Sequence, residues 1–140
     1  MRVLAGDIGG TSTRLCIADC KDGACRRLHT QRFSSSANAS LAEILQEFLQ
    51  QDAAMTFDGV CLAIAGPVRT TAAGQSAKVT SLPWEIESGA LAQTFAPPYI
   101  RLINDFEATG HPTMRSVEPG DTWAWCYPDQ AYLESVELRT

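Results

Sequence analysis

Apolar and polar positions follow different periods along this chain, and those periods predict its elements. Residues 2–8 (Arg-Val-Leu-Ala-Gly-Asp-Ile) read as a buried strand that runs into Gly9-Gly10, and residues 12–20 read as a second strand. Lys21-Asp22-Gly23 supplies hairpin chemistry, since Asp-Gly tolerates the tight turn between paired strands. A third strand from about Ala24 to Phe33 completes an antiparallel meander. After a polar loop from Ser34 to Asn38, Ser40-Leu41-Ala42-Glu43 has the spacing of a capping box. Leu41, Ile44, Leu45, Phe48 and Leu49 then recur at helical spacing, which predicts an amphipathic helix with these side chains in the core.

The run Gly59-Val60-Cys61-Leu62-Ala63-Ile64-Ala65, closed by Gly66-Pro67, fits a strand covered on both faces. A short extended piece is expected at 72–80. A second helix is expected from Trp84 to Phe95, stopped by Pro97-Pro98. Tyr99 to Ile103 reads as a last strand that delivers Asn104-Asp105-Phe106. The order βββαβαβ describes an α/β fold: a mixed sheet with helices as crossovers between parallel strands. From Gly110 onward prolines and glycines interrupt the chain every few residues and no period persists. The expected division is an α/β lobe over 1–109 and an irregular, unassigned tail over 110–140.

Composition narrows the partners. The 140 residues are one domain's worth, and a net charge of −5 argues against nucleic acid or an anionic membrane as the main partner, because both reward a basic face. No apolar run approaches the roughly 20 residues of a membrane helix. Asp7 stands too early for a signal peptide, so a cytoplasmic location is expected. Five cysteines, an odd number, point to free thiols rather than a disulfide framework. Cys16, Cys20, Cys25 and His29 have the residue types of a zinc site. However, Cys16 and Cys20 on one strand would lie about 13 Å apart, too far to share an ion. Small buried or half-buried thiols are expected instead.

Three segments carry candidate chemistry. In Gly6-Asp7-Ile8-Gly9-Gly10-Thr11 the glycines allow backbone amides to approach an anion, Thr11 offers a hydroxyl, and Asp7 is placed to orient a magnesium-bound water. The segment lacks the Gly-Lys-[Ser/Thr] ending of a Walker loop, and an ordinary Gly-Gly hairpin turn would read the same way. In Ile103-Asn104-Asp105-Phe106 a carboxylate just beyond a strand is placed to accept a substrate proton, with Asn104 holding the same molecule. A helix cap or Asx turn is the local alternative. Ala63-Ile64-Ala65-Gly66-Pro67 offers a strand exit where another backbone can come close. Trp84, after Thr80-Ser81-Leu82-Pro83, is either a sugar-stacking face or, preferably, the cover of a core edge.

Together these segments, over residues 2 to about 109, resemble the bacterial glucokinases of the sugar-kinase and actin-like ATPase superfamily, which have a ribonuclease-H-like fold. The resemblance implies phosphoryl transfer from ATP, with Mg2+, to the 6-hydroxyl of glucose. It implies Asp105 as general base, Asn104 and Ser81 beside the sugar, and Gly9, Gly10 and Thr11 as the first phosphate loop, with Asp7 near magnesium through water. A kinase for another sugar, such as an N-acetylhexosamine, and a non-catalytic sugar-binding or regulatory module are the alternatives.

The chain departs from that family's pattern in three ways. Ser81 stands where these enzymes usually carry Asn. The family's second phosphate loop, Gly-x-Gly-Thr-Gly-x-Gly, has no counterpart, only Gly110 and Gly120 following Asp105. Its Glu-Gly-Gly-His segment is missing too. The expectation is a lobe, by truncation, frame disruption or expression as a fragment, that is inactive alone. An apolar surface left uncovered by the second lobe makes a homodimer an expectation as well.

Overall fold

In the computed structural model, which describes residues 2–21, 24–51, 56–97 and 99–104, the strand-patterned segments build one mixed sheet. β1 (Arg2–Ile8), β2 (Ser12–Lys21) and β3 (Ala24–Ser34) form the expected meander. β4 (Gly59–Ile64) pairs parallel to β1, and Ile100–Asn104, the last strand, pairs parallel to β4. Between them the chain makes β5 (Val68–Thr71), β6 (Gly74–Lys78) and β7 (Glu85–Glu87), so the last strand is β8. The five-stranded sheet has the order β3-β2-β1-β4-β8, and β5-β6-β7 is a separate antiparallel sheet. All six residues of β4 are buried, in keeping with its unbroken apolar run. β3, at one edge of the large sheet, exposes Arg26, Arg27 and Arg32.

The helix α1 (Leu41–Gln50) forms where its apolar stripe predicts, and it buries Leu41, Ile44, Leu45 and Phe48. Its start is a capping box with one shift. The Glu43 N–H donates to Ser40 Oγ at 3.3 Å, while Glu43 Oε2 accepts from the N–H of Ala39 rather than that of Ser40. The stripe packs in one cluster with Leu4, Ile8, Leu15, Ile17 and Phe33 of the meander. Phe48 is its centre, 1% exposed, edge-on to Phe33 at 6.3 Å and stacked on His29 at 5.2 Å. A second cluster of small side chains, Ala5, Cys16, Ala18, Cys20, Cys61, Ala63 and Ile103, is built from alternate positions of the same strands.

Three expectations need correction. The second helix, α2 (Ser88–Phe95), begins four residues later than Trp84, and Glu85–Glu87 is strand. The exposed-buried-exposed pattern of Glu85, Ile86 and Glu87 has period 2, and Trp84 is held in the core at 3% exposure with Nε1 donating to Asn38 O. The single extended piece at 72–80 is instead part of the small sheet. At its other end α2 stops as expected, with Ala96 left-handed at φ 47° and Pro97 next. Cys16 and Cys61 are buried thiols, but Cys20 is disulfide-bonded and stands opposite position 25 in the β2–β3 register. The odd cysteine count gave no sign of a disulfide at Cys20. The tail over 110–140, with Asp105 and Phe106, lies outside the described residues.

Candidate active site

Three parallel strands end in one row. Ile8 of β1 stands beside Ile64 of β4, and Ile64 beside Asn104 of β8. Gly9-Gly10-Thr11, Ala65-Gly66-Pro67 and Asn104 itself therefore stand side by side at the carboxyl edge of the sheet. In open α/β sheets that edge is where ligands bind.

Gly66 is the junction. The side-chain amide of Asn104 donates from Nδ2 to Gly66 O at 2.5 Å. A Cβ at Gly66 would stand 2.0 Å from Lys78 O, so only glycine lets β6 pass this close. The N–H of Ala65 donates to Ile8 O, and the N–H of Thr80 donates to Ala65 O, each at 2.9 Å. A Cβ on Gly10 would in turn stand 3.0 Å from Thr80 O. The four sequence segments thus meet around one backbone crossing, although they span almost a hundred positions of chain.

The turn after β1 is closed by the N–H of Gly9, which donates to Ser12 O at 3.0 Å. Neither Gly9 nor Gly10 has a left-handed φ. Their glycine character answers to crowding instead, since a Cβ at Gly9 would meet Ser12 O at 2.9 Å. Thr11 is exposed at the tip. Two residues before the turn, Asp7 accepts from Arg14 Nη2 at 3.2 Å, its neighbour across the β1–β2 ladder. The Asp7 side chain remains 31% exposed, so the carboxylate can still face a hydrated cation. Among the described residues no three His, Cys, Asp or Glu side chains are grouped to hold a metal.

Ser81 is exposed and left-handed, at φ 73°. It lines a pocket of about 230 Å³ with Pro67, Lys78, Val79, Thr80 and Leu82. Trp84 is buried, so it covers the core edge and presents no stacking face. Asp105 follows Asn104 in the chain and lies outside the described residues. Three residues outside every motif belong to the site: Arg14, which pairs with Asp7, and the buried hydroxyls of Thr13 and Ser35 beneath the glycine turn. Ser35 sits in a stretch that reads only as polar loop. The one available signal was Arg14 directly opposite Asp7 once the hairpin register is drawn.

A glycine turn, a Gly-Pro exit and the Asn104 strand end meet at one sheet edge, in a fold shared with sugar kinases of the actin-like ATPase superfamily. The glucokinase family model matches residues 4–123, and the chain belongs to the glucokinase family. A glucokinase of Nostoc punctiforme is 38% identical over 112 residues, which cover 78% of this chain and 31% of that protein. The crystal structure of a glucokinase from an Antarctic psychrotroph superposes with a TM-score of 0.67 at 27% identity, over 76% of this chain and 33% of that one. The hexokinase of Schistosoma mansoni complexed with glucose shares the fold, with a TM-score of 0.52 at 18% identity, over 78% of this chain and 30% of that one. The chain therefore spans about a third of the length of the relatives it matches.

Proposed function

We propose that this chain is the amino-terminal lobe of an ATP-dependent glucokinase, which transfers a phosphoryl group to the 6-hydroxyl of glucose. The observation that carries the proposal is the alignment of Ile8, Ile64 and Asn104, which sets the glycine turn and the Asn104 end of β8 on one edge. In this reading Asp105 takes the proton of the attacking hydroxyl, and Asn104 and Ser81 hold the sugar beside it. The amides of Gly9 and Gly10 and the Thr11 hydroxyl receive phosphate oxygens, and Asp7 orients water around the cation. Magnesium-bound ATP would supply the phosphoryl group and neutralise its charge. The bond from Asn104 to Gly66 supports this arrangement, because it fixes the residue next to the base against the junction of the site.

A cytoplasmic location and a homodimer that shields apolar surface belong to the same proposal, and light scattering on the purified chain tests the dimer. Among the described residues no helix is long and apolar enough to cross a membrane. To test the function, this lobe is joined to the remaining lobe of a family member, and turnover of glucose and N-acetylglucosamine is measured. Glucose turnover that falls about 10²–10⁴-fold in Asp105→Ala is expected for a lost general base. Turnover within about twofold of the parent would exclude Asp105, and preference for the amino sugar would move the substrate assignment.

A further inference from the structure

We infer that Ser35 is a positioning residue that turns the Gly9–Ser12 backbone toward a phosphate group. The inference rests on the phosphate-loop reading above and adds a residue and a mechanism to it. Ser35 is 0% exposed and lies just past the end of β3, far from the turn in sequence. Its N–H donates to Thr11 O at 3.0 Å, and its hydroxyl donates to Gly9 O at 2.6 Å. A hydroxyl has one proton, so at the 2.9 Å contact between the two hydroxyls it is Thr13, also 0% exposed, that donates to Ser35. The relay Thr13 to Ser35 to Gly9 leaves each hydroxyl proton paired, as buried polar groups require.

The consequence for the turn follows from peptide geometry. The peptide bonds of the described residues are all trans, and a planar trans peptide points its C=O and the next N–H in opposite directions. Ser35 draws Gly9 C=O toward the core, so the N–H of Gly10 points outward. It draws Thr11 C=O toward β3, so the N–H of Ser12 points the other way, into the mouth of the turn. In a two-residue hairpin closed by both bonds of its last pair, Ser12 N–H would return to Gly9 O. Here, among the described residues, only the reverse bond, from Gly9 N–H to Ser12 O, is made. Gly9 O accepts from Ser35 Oγ instead, which turns the carbonyl from Ser12 N–H. Gly10 and Thr11 N–H likewise have no backbone acceptor among the described residues. Outward amides in succession are the arrangement that holds an anion.

The test titrates the 15N-labelled 140-residue chain with MgATP and follows the amide resonances of Gly10 and Ser12. A saturable shift of both is expected. Ser35→Ala keeps the N–H but loses the hydroxyl, and should weaken MgATP about tenfold, the scale of one lost charge-assisted bond. Ser35→Thr, which keeps the hydroxyl, should recover most of that loss. Glucose affinity, followed at Asn104, should change less than about twofold, because, among the described residues, the proposed sugar ligands, Asn104 and Ser81, make no hydrogen bond to Ser35. Equal weakening of glucose and MgATP would mean a purely structural role and overturn the inference. So would an unchanged MgATP affinity in Ser35→Ala, with the phosphate-loop reading left standing. A wild-type chain whose turn does not respond to MgATP would overturn that reading and Ser35's part in it together. If Ser35→Ala does not fold, Ser35→Cys, with its weak S–H donor, replaces it and is judged by the same outcomes.

Discussion

The side chain of Gln75 completes both backbone hydrogen bonds of Leu102. Gln75 Nε2 donates to Leu102 O at 2.9 Å, and Leu102 N–H donates to Gln75 Oε1 at 2.8 Å. Leu102 is the middle residue of β8, the outer strand of the large sheet, and Gln75 reaches it from β6. A primary amide matches the spacing of a peptide group, so one side chain stands in for a neighbouring strand. Leu102 is 1% exposed, and water is a poor substitute partner there. Gln75→Ala should therefore cost about 1–3 kcal/mol in urea unfolding. Gln75→Glu keeps the acceptor but loses the donor, and should fall between. Hydrogen exchange of the Leu102 amide should speed up in Gln75→Ala, and an unchanged rate would show that the bond is not made in solution.

Gly66 and Gly89 make opposite predictions for the same substitution. Gly66→Ala puts a methyl 2.0 Å from Lys78 O, so the β6 backbone must move, at a cost of about 3 kcal/mol. A Cβ on Gly89, in the first turn of α2, meets nothing within 4 Å. Gly89→Ala should stabilise by about 0.5–1 kcal/mol through lower unfolded-chain entropy. Thermal melts of the two variants on either side of the parent would bear out both arguments. A mild Gly66→Ala would mean that β6 and the Gly-Pro exit are not packed as closely as described.

Ser81 holds a left-handed φ of 73° with a residue that has no special preference for it. Asparagine visits that region several times more readily than serine. Ser81→Asn should raise stability by about 0.5–1 kcal/mol, or a few degrees in Tm for a domain of this size. Ser81→Val should lower Tm, because a β-branched side chain fits poorly there. A Ser81→Asn melt below the parent's would place the strain elsewhere.

The hydrogen bond from the Arg2 guanidinium holds the Asp19 carboxyl below its ordinary pKa. A group whose folded pKa is lowered stabilises the fold above its unfolded pKa, and that contribution is lost as pH falls through the folded value. Asp19 thus supports stability at neutral pH and loses that contribution progressively as pH falls below about 4. Asp19→Asn should lower stability slightly at pH 7 and flatten its decline toward pH 3. Parallel decline curves for parent and variant would remove Asp19 from the acid transition.

Local pattern carried much of this fold, and the reasons differ by element. The α1 stripe and the strands around Leu4, Ile17 and Val60 were legible because burial imposes a period on neighbouring residues. The small sheet was not, since β5 to β7 span only four, five and three residues, too few to establish one. In the site, the glycine turn and the Asn104 strand end were visible as residue types. The parts that aim them, Ser35, Thr13 and Gln75, act across 22 to 27 positions, and no local window contains both partners. Gly9 and Gly10 were noticed for their freedom to turn, yet the fold uses their lack of a side chain.

Both borders of the large sheet are guarded against strand addition. On one border Gln75 already occupies the backbone groups of Leu102 that an incoming strand would seek. On the other, β3 exposes Arg26, Arg27 and Arg32, so a second copy laid against it would bring like charges together. An open sheet is the usual seed of fibrous association, and this one carries a blocked rim on one side and a repulsive rim on the other. Among the described residues, sheet faces and helices are left as the surfaces through which copies could meet.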